Sequence, residues 1–149
     1  MDWIYSAPNV GAVALLFALY FAKKVDKVDA GTDRMKEIAS YIHDGAMAFL
    51  RRQYMYMAVF IVVAAIILAV TPGLGLYTAI CFVLGAICSI LAGFFGMQVA
   101  TKANVRTANA AREGGMNKAL SIAFSGGAVM GMCVVGLGLL GVGALYNIF

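Results

Sequence analysis

The side chains that could carry acid, base or metal chemistry are few. The carboxylates other than that of Asp2 belong to Asp26, Asp29, Asp33, Glu37, Asp44 and Glu113, and the one histidine is His43. Grouped carboxylates hold Mg²⁺ and activate water, and a histidine beside an aspartate can bind a metal or change its charge near neutral pH. Past Asp44, however, Glu113 is the only acid.

The spacing of these residues does not indicate a reaction centre. The sequence has no phosphate-binding loop, no metal-ligand spacing and no nucleophile paired with a base. We therefore predict no catalytic, cofactor-binding or metal-binding residue in this chain. We interpret His43 as a solvated surface side chain rather than as a metal ligand or a pH switch.

The composition indicates a membrane protein. Hydrophobic residues make up 63% of the 149 residues and charged residues 12%, and the mean hydropathy is +0.91. A soluble domain of this size could not cover so apolar a chain. All 11 Lys and Arg residues lie within 23–52 or 102–118, and lipid tolerates such charges only near the ends of spans. The net charge of +4 thus belongs to loops, and we expect no nucleic-acid partner.

The uncharged stretches define the elements. About 20 apolar residues cross a bilayer core. We predict an all-α, polytopic membrane protein with four transmembrane helices at about 3–22, 53–70, 76–100 and 119–147, and with cytoplasmic segments at 23–52 and 101–118. Pro72 and its neighbouring glycines at 71–75 separate the second span from the third. Pro8 and Asn9 are expected to interrupt the first span.

The charges also set the orientation. The positive-inside rule places both basic segments in the cytoplasm and both termini outside, which predicts a multi-pass protein of the cell membrane with lipid around it. A cleaved signal peptide is disfavoured, because Asp2 and no Lys or Arg precede the first apolar stretch. Cys81, Cys88 and Cys133 lie within spans, where a thiol behaves as a small apolar group, so neither a disulfide nor a metal site is indicated.

The first basic segment predicts an amphipathic helix. Met35, Ile38 and Ile42 recur at helical spacing, and Thr32 can cap the helix. We expect this helix to lie along the inner surface, against lipid or against a partner, and to turn into the second span at Arg51-Arg52.

The third span is expected to project into the cytoplasm, because residues 76–112 contain no helix breaker before Gly114-Gly115, where the chain turns back. Its polar residues are Thr101, Asn104 and Thr107, which share one face with Ala111, and Lys102, Arg106 and Asn109 on neighbouring faces. These side chains either point into a hydrophilic cavity or form a solvated extension that fills an interface, and we favour the extension.

Small residues follow one another along two of the predicted helices. The predicted helix-packing residues are Gly85, Ser89, Gly93, Gly96, Gly127 and Gly131. Lipid provides no hydrophobic drive between helices, so close van der Waals contact across such stripes holds helices together. We therefore expect both faces to be buried against other helices.

Three stretches of the sequence resemble one family. The residues that carry the resemblance are Gly31-Thr32-Asp33-Arg34-Met35 with Gly45-Ala46-Met47-Ala48-Phe49-Leu50-Arg51-Arg52; Gly85-Ala86, Ser89, Ala92-Gly93, Gly96-Met97 and Ala103-Asn104-Val105-Arg106-Thr107-Ala108; and Asn117-Lys118-Ala119-Leu120, Ala123-Phe124, Gly126-Gly127 and Val129-Met130-Gly131. In this order they are similar to the membrane-integral pyrophosphatases, which couple pyrophosphate hydrolysis to proton or sodium export. The first span fits that family by hydropathy alone.

The resemblance implies a role within a larger pump. Members of the family are homodimers that need Mg²⁺, and some are stimulated by K⁺. Their first four helices belong to an outer ring, while acid-rich motifs on later helices bind the substrate and conduct the ion. No Asp-x-Gly-Ala-Asp-Leu-x-Gly-Lys motif occurs here. The expectation is therefore the N-terminal part of a pump, inactive alone, binding no cofactor itself and packing against the remaining helices.

Other classes of membrane protein are alternatives. A rotary-ATPase proteolipid or a small multidrug exporter needs a carboxylate at mid-membrane, and none of the predicted spans has one. A stand-alone four-helix scaffold or assembly protein is harder to exclude, and it would be stable and monodisperse when expressed alone.

Overall fold

The computed structural model describes residues 3–148, and in that range the regular secondary structure is entirely α-helical, without strands. The helices are α1 (Trp3–Asp26), α2 (Asp33–Val70) and α3 (Gly75–Ile148). Each is long and apolar enough to cross a membrane. The fold class predicted from the sequence is confirmed in this respect: the protein consists of long apolar helices, as a membrane protein should.

Helix α1 continues through Pro8, so the predicted interruption at Pro8 and Asn9 is wrong. Proline removes one backbone hydrogen bond, to the residue four places earlier, and this loss falls in the first two turns, where few such bonds exist. The helix also passes Lys23 and Lys24 and ends at Asp26, about one turn beyond the predicted end of the first span.

Helix α2 is capped as predicted, because the Thr32 side chain accepts a hydrogen bond from the backbone N–H of Met35 at 3.4 Å. It then runs without a break to Val70. The predicted turn at Arg51-Arg52, which separated an amphipathic surface helix from the second span, is therefore wrong. Arginine is a good helix former, and no proline lies within 33–70, so one helix contains both parts.

Helix α3 is interrupted at Gly115, where φ is 74° and ψ is −178°. L-residues rarely adopt this conformation, whereas glycine does so readily. The interruption divides α3 into a first arm (residues 75–114) and a second arm (residues 116–148). The predicted reversal of the chain at Gly114-Gly115 is thus found. Positive φ values at Gly73 and Gly75 likewise shape the turn between α2 and α3.

The first arm of α3 lies at the centre of the helix packing within the chain. The second arm folds back against it, so that Gly96 lies beside Met130 and Gly126 beside Ala103. Helices α1 and α2 both pack against α3 and, within the described residues, not against each other. The buried core consists mainly of small side chains, with one cluster formed by Ala18, Ala92, Val129 and Cys133, and a second one by Ala110, Ala119 and Ile122. Close helix packing, rather than a core of large side chains, therefore holds the helices together.

Candidate functional site

The carboxylates do not gather into a site. Within residues 3–148 no three His, Cys, Asp or Glu side chains lie close enough together to hold a metal ion. Several acids instead pair with nearby cations at the surface: Glu37 with Arg34 at 2.8 Å, Asp33 with Lys36 at 3.5 Å and Glu113 with Arg112 at 2.8 Å. The Mg²⁺ that the family resemblance implies needs several oxygen ligands at once. This donor set does not fit such an ion.

Several polar residues of the described chain meet where α1 ends. We call this contact the polar joint; it comprises Asp26, Val28 and Asp29 at the end of α1 and in the loop after it, and Lys102, Arg106 and Asn109 of the first arm. Arg106 Nε donates a hydrogen bond to the Val28 carbonyl at 2.9 Å, and its Nη1 donates to the Lys102 carbonyl at 2.9 Å. Lys102 Nζ lies 3.4 Å from the Asp26 carboxylate. The joint thus satisfies loop carbonyls that the end of α1 leaves without helical partners.

Asn109 lies at the centre of the polar joint and is 2% exposed. Its Nδ2 donates to the Asp29 carbonyl at 3.4 Å, while its Oδ1 has no hydrogen-bond partner. That oxygen packs against Gly31, where a Cβ would lie 2.7 Å from it. Gly31 also has a φ of +86°, so both the backbone conformation and the contact with Asn109 require glycine at this position.

His43 is not the solvated surface residue that the sequence suggested. It is half-buried, and its Nδ1 lies 3.0 Å from Thr101 Oγ1 of the first arm. The Thr101 hydroxyl donates its own hydrogen to the Gln98 carbonyl at 3.0 Å. With the hydroxyl hydrogen donated to Gln98, the histidine nitrogen is assigned as the donor, with its proton on Nδ1. The prediction failed because helical spacing within α2 does not reveal a partner 58 positions away.

The polar face predicted on the first arm is divided between two environments. Thr101 is buried, Thr107 is half-buried, and Asn104 and Ala111 are exposed. Asn104 lines a shallow groove against α2 together with Met35, Ile38 and Ile42. It also borders a second groove between the two arms.

The predicted helix-packing residues lie in different surroundings. Gly96 is buried against Met130, and a Cβ at Gly93 would lie 3.7 Å from the hydroxyl of Tyr54. That hydroxyl donates to the Ile90 carbonyl at 3.1 Å and so links α2 to the first arm. A Cβ at Gly85, Gly127 or Gly131 would meet nothing within 4 Å, and Ser89 is exposed.

Sequence reasoning missed the glycines that bring α1 against α3. A Cβ at Gly11 would lie 2.7 Å from the Gly136 carbonyl oxygen, and one at Gly143 would lie 2.6 Å from Pro8 Cγ. The spacing of Gly136 and Gly143, two helical turns apart, was the available signal. That spacing alone does not identify the partner, because the residue across it is a single glycine in α1, which forms no repeating pattern.

The comparisons with known proteins agree with the resemblance seen in the sequence. The family model described as inorganic H⁺ pyrophosphatase matches residues 12–149. A protein of Clostridium tetani, named as a K⁺-stimulated pyrophosphate-energized sodium pump, is 60% identical over 82% of this chain. K⁺-insensitive pyrophosphate-energized proton pumps of Methanosarcina mazei and Moorella thermoacetica are 48% and 46% identical over 98% and 95% of it.

These matches cover most of this chain but only 18%, 22% and 20% of the three relatives. The chain therefore spans about a fifth of the length of such pumps. The matches do not favour the stand-alone scaffold. The family model matches residues 12–149, which is most of this chain, and the chain belongs to the inorganic H⁺ pyrophosphatase family.

Proposed function

We propose that this chain supplies the N-terminal, outer-ring helices of a pyrophosphate-energized ion pump and that its work there is structural. The observation that carries the proposal is the family match from residue 12 to 149 in a chain that spans a fifth of its relatives. The charge distribution supports a structural role, because the long apolar parts of the chain contain no acid that could bind or conduct an ion.

On this proposal the chemistry of the pump lies in the part of the relatives outside this chain. Mg²⁺, pyrophosphate and any K⁺ would be held there, since the carboxylates of this chain are scattered and largely paired with cations at its surface. One of the related pumps is named as a K⁺-stimulated sodium pump and another as a K⁺-insensitive proton pump. The parent pump would act as a homodimer.

The activity test uses the purified chain in lipid vesicles with Mg²⁺ and pyrophosphate. We expect no phosphate release above that of a mock preparation, because residues 3–148 contain no cluster of metal-binding side chains that could hold the ion and activate water. The control is the same chain co-expressed with a Clostridium tetani pump from which the matching segment has been deleted; this pair should regain hydrolysis. Release by the chain alone would refute the structural role.

We further propose that the chain crosses the cell membrane four times, with both termini outside. The two arms of α3 run antiparallel from Gly115, since Gly96 lies beside Met130 and Ala103 beside Gly126. Helix α2 and the first arm also run antiparallel, since His43 contacts Thr101 and Tyr54 contacts Ile90. Residues 33–52 and 102–118, which carry the basic residues of α2 and α3, thus lie at one end of the molecule. One aqueous compartment on that side satisfies the positive-inside rule for every helix.

Thiol labelling tests this topology. Asp33→Cys and Lys102→Cys each place a thiol at an exposed position, in a chain whose native cysteines are replaced by alanine. An impermeant maleimide should label both in inside-out vesicles and neither in right-side-out vesicles. Labelling of the two positions from opposite sides would rule out the four-span arrangement.

A further inference from the structure

The two arms of α3 leave an apolar groove of about 450 Å³ between them. It lies between the half of each arm that is farther from Gly115. Gly85, Cys88 and Ser89 of the first arm form one wall, and Gly138, Gly141 and Val142 of the second arm form the other. No residue that lines the groove is charged. The groove therefore belongs to the part of the molecule that lies in lipid.

The second arm has two glycine faces, and only one of them is occupied. Gly136 and Gly143 lie against Leu15 and Pro8 of α1, where added Cβ atoms would come within 2.8 Å and 2.6 Å of their neighbours. At 100° per residue, Gly138 and Gly141 lie roughly 150° around the helix from that pair. A Cβ at Gly138 would meet nothing within 4 Å, and one at Gly141 would meet only Cys88 Sγ, at 3.6 Å.

The open face has the features of the occupied one. Glycine weakens a helix relative to alanine and is useful in a membrane where another backbone must approach closely. Flexible lipid tails need no such close approach. Across the groove, Gly85 of the first arm likewise has nothing within 4 Å of the place where its Cβ would be.

We propose that this groove is the seat of an apolar transmembrane helix from the part of the pump that lies outside this chain. The inference rests on the proposed function and names where the remaining pump docks. The proposal is supported by the small share of the related pumps that this chain matches, because about four-fifths of each pump lies outside the matched segment. An uncharged, glycine-walled groove fits an apolar helix, which would approach this face as α1 approaches the opposite one.

Photocrosslinking tests which molecule covers the groove. A benzophenone amino acid replaces Val142, which is 68% exposed in the groove wall, or Val59, which is 63% exposed on α2 and does not line this groove. Each chain is co-expressed with the Clostridium tetani pump from which the matching segment has been deleted. We expect a crosslink to that pump from position 142 and far less from position 59.

The outcomes separate the two proposals. If the chain co-purifies with the shortened pump but position 142 crosslinks to lipid, to a second copy of the chain, or no better than position 59, the docking site is wrong and the proposed function stands. If the wild-type chain does not associate with the shortened pump at all, the proposed function fails, and the docking site fails with it.

Substitution gives a second measurement. Gly138→Leu fills the groove, whereas Ala144→Leu adds apolar volume to an exposed position of the same arm that does not line the groove. We expect Gly138→Leu to lower co-purification with the shortened pump about tenfold, because the added side chain overpacks the contact, and Ala144→Leu to leave it unchanged. The chain alone has open space at Gly138, so its own elution in detergent should stay the same. Equal association of both variants would overturn the proposal.

Discussion

Helix α1 is held to α3 at both of its ends, and the two contacts differ in kind. Near its start, Pro8 and Gly11 lie directly against Gly143 and Gly136 of the second arm. Near its end, Arg106 and Asn109 of the first arm reach the loop carbonyls of Val28 and Asp29 with side-chain donors. The first contact is a close approach of backbones, and the second is a set of directed hydrogen bonds.

The difference follows from the surroundings of each end. Lipid provides no hydrophobic drive between helices. Contact within lipid therefore depends on glycines, which lack a side chain and let two backbones approach closely. At the charged end the chain leaves the helix, and its free carbonyls need donors. A single atom added at the glycine contact should therefore lower the free energy of unfolding strongly. At the polar joint, the loss in that free energy should grow with the number of hydrogen bonds removed.

The largest effect is expected from Gly11→Ala. The new Cβ would lie 2.7 Å from a backbone carbonyl, that of Gly136, which cannot move aside without moving the helix. We expect the free energy of unfolding to fall by about 3 kcal/mol, as overpacking does at its upper range. Unfolding by sodium dodecyl sulfate in mixed micelles, followed by circular dichroism, measures it.

Gly138→Ala is the matched control for that change. The same methyl group enters the same kind of helix at a place with nothing within 4 Å, and alanine favours the helix by up to about 1 kcal/mol relative to glycine. The control should therefore be neutral or stabilising in the isolated chain. Equal destabilisation by both variants would mean that close approach is not what holds α1.

A smaller loss is expected from Arg106→Met, which keeps the apolar stem but removes the donors to Val28 and Lys102. A hydrogen bond from a charged group contributes about 2 kcal/mol when partly buried, and the Val28 carbonyl would lose its partner. We expect a loss of that size in the same unfolding assay, together with faster tryptic cleavage after Lys27.

Lys102→Met serves as the comparison within the polar joint. The Lys102 and Asp26 side chains are 48% and 49% exposed, and exposed ion pairs contribute about 0.5 kcal/mol. This variant should unfold nearly as the wild type does. A larger loss from Lys102→Met than from Arg106→Met would contradict the view that directed bonds to the loop hold this end.

The sequence predicts features that depend on local chemistry and misses those that depend on a contact between helices. Hydropathy and charge locate the apolar stretches, and Thr32 and Gly115 mark a cap and a reversal through local chemistry that needs no partner. The glycine contact of α1 was missed because its effect depends on two distant helices meeting. For the same reason His43 was misjudged: its partner is on another helix, and no period within α2 points to it.

Among the substitutions that remove a directed hydrogen bond, the smallest effect is expected at His43, where the variants test which atom donates the bond as well as its contribution to stability. With the Thr101 hydrogen assigned to Gln98, the histidine Nδ1 is the donor to Thr101. Asparagine can place an amide N–H near the position of Nδ1, whereas glutamine places it near that of Nε2. His43→Asn should therefore retain most of the stability and His43→Gln should lose about 1 kcal/mol, the usual net contribution of one hydrogen bond. In a Thr101→Val background the two variants should become equal, because the acceptor is gone. A difference that persists there would show that His43 acts through some contact other than Thr101.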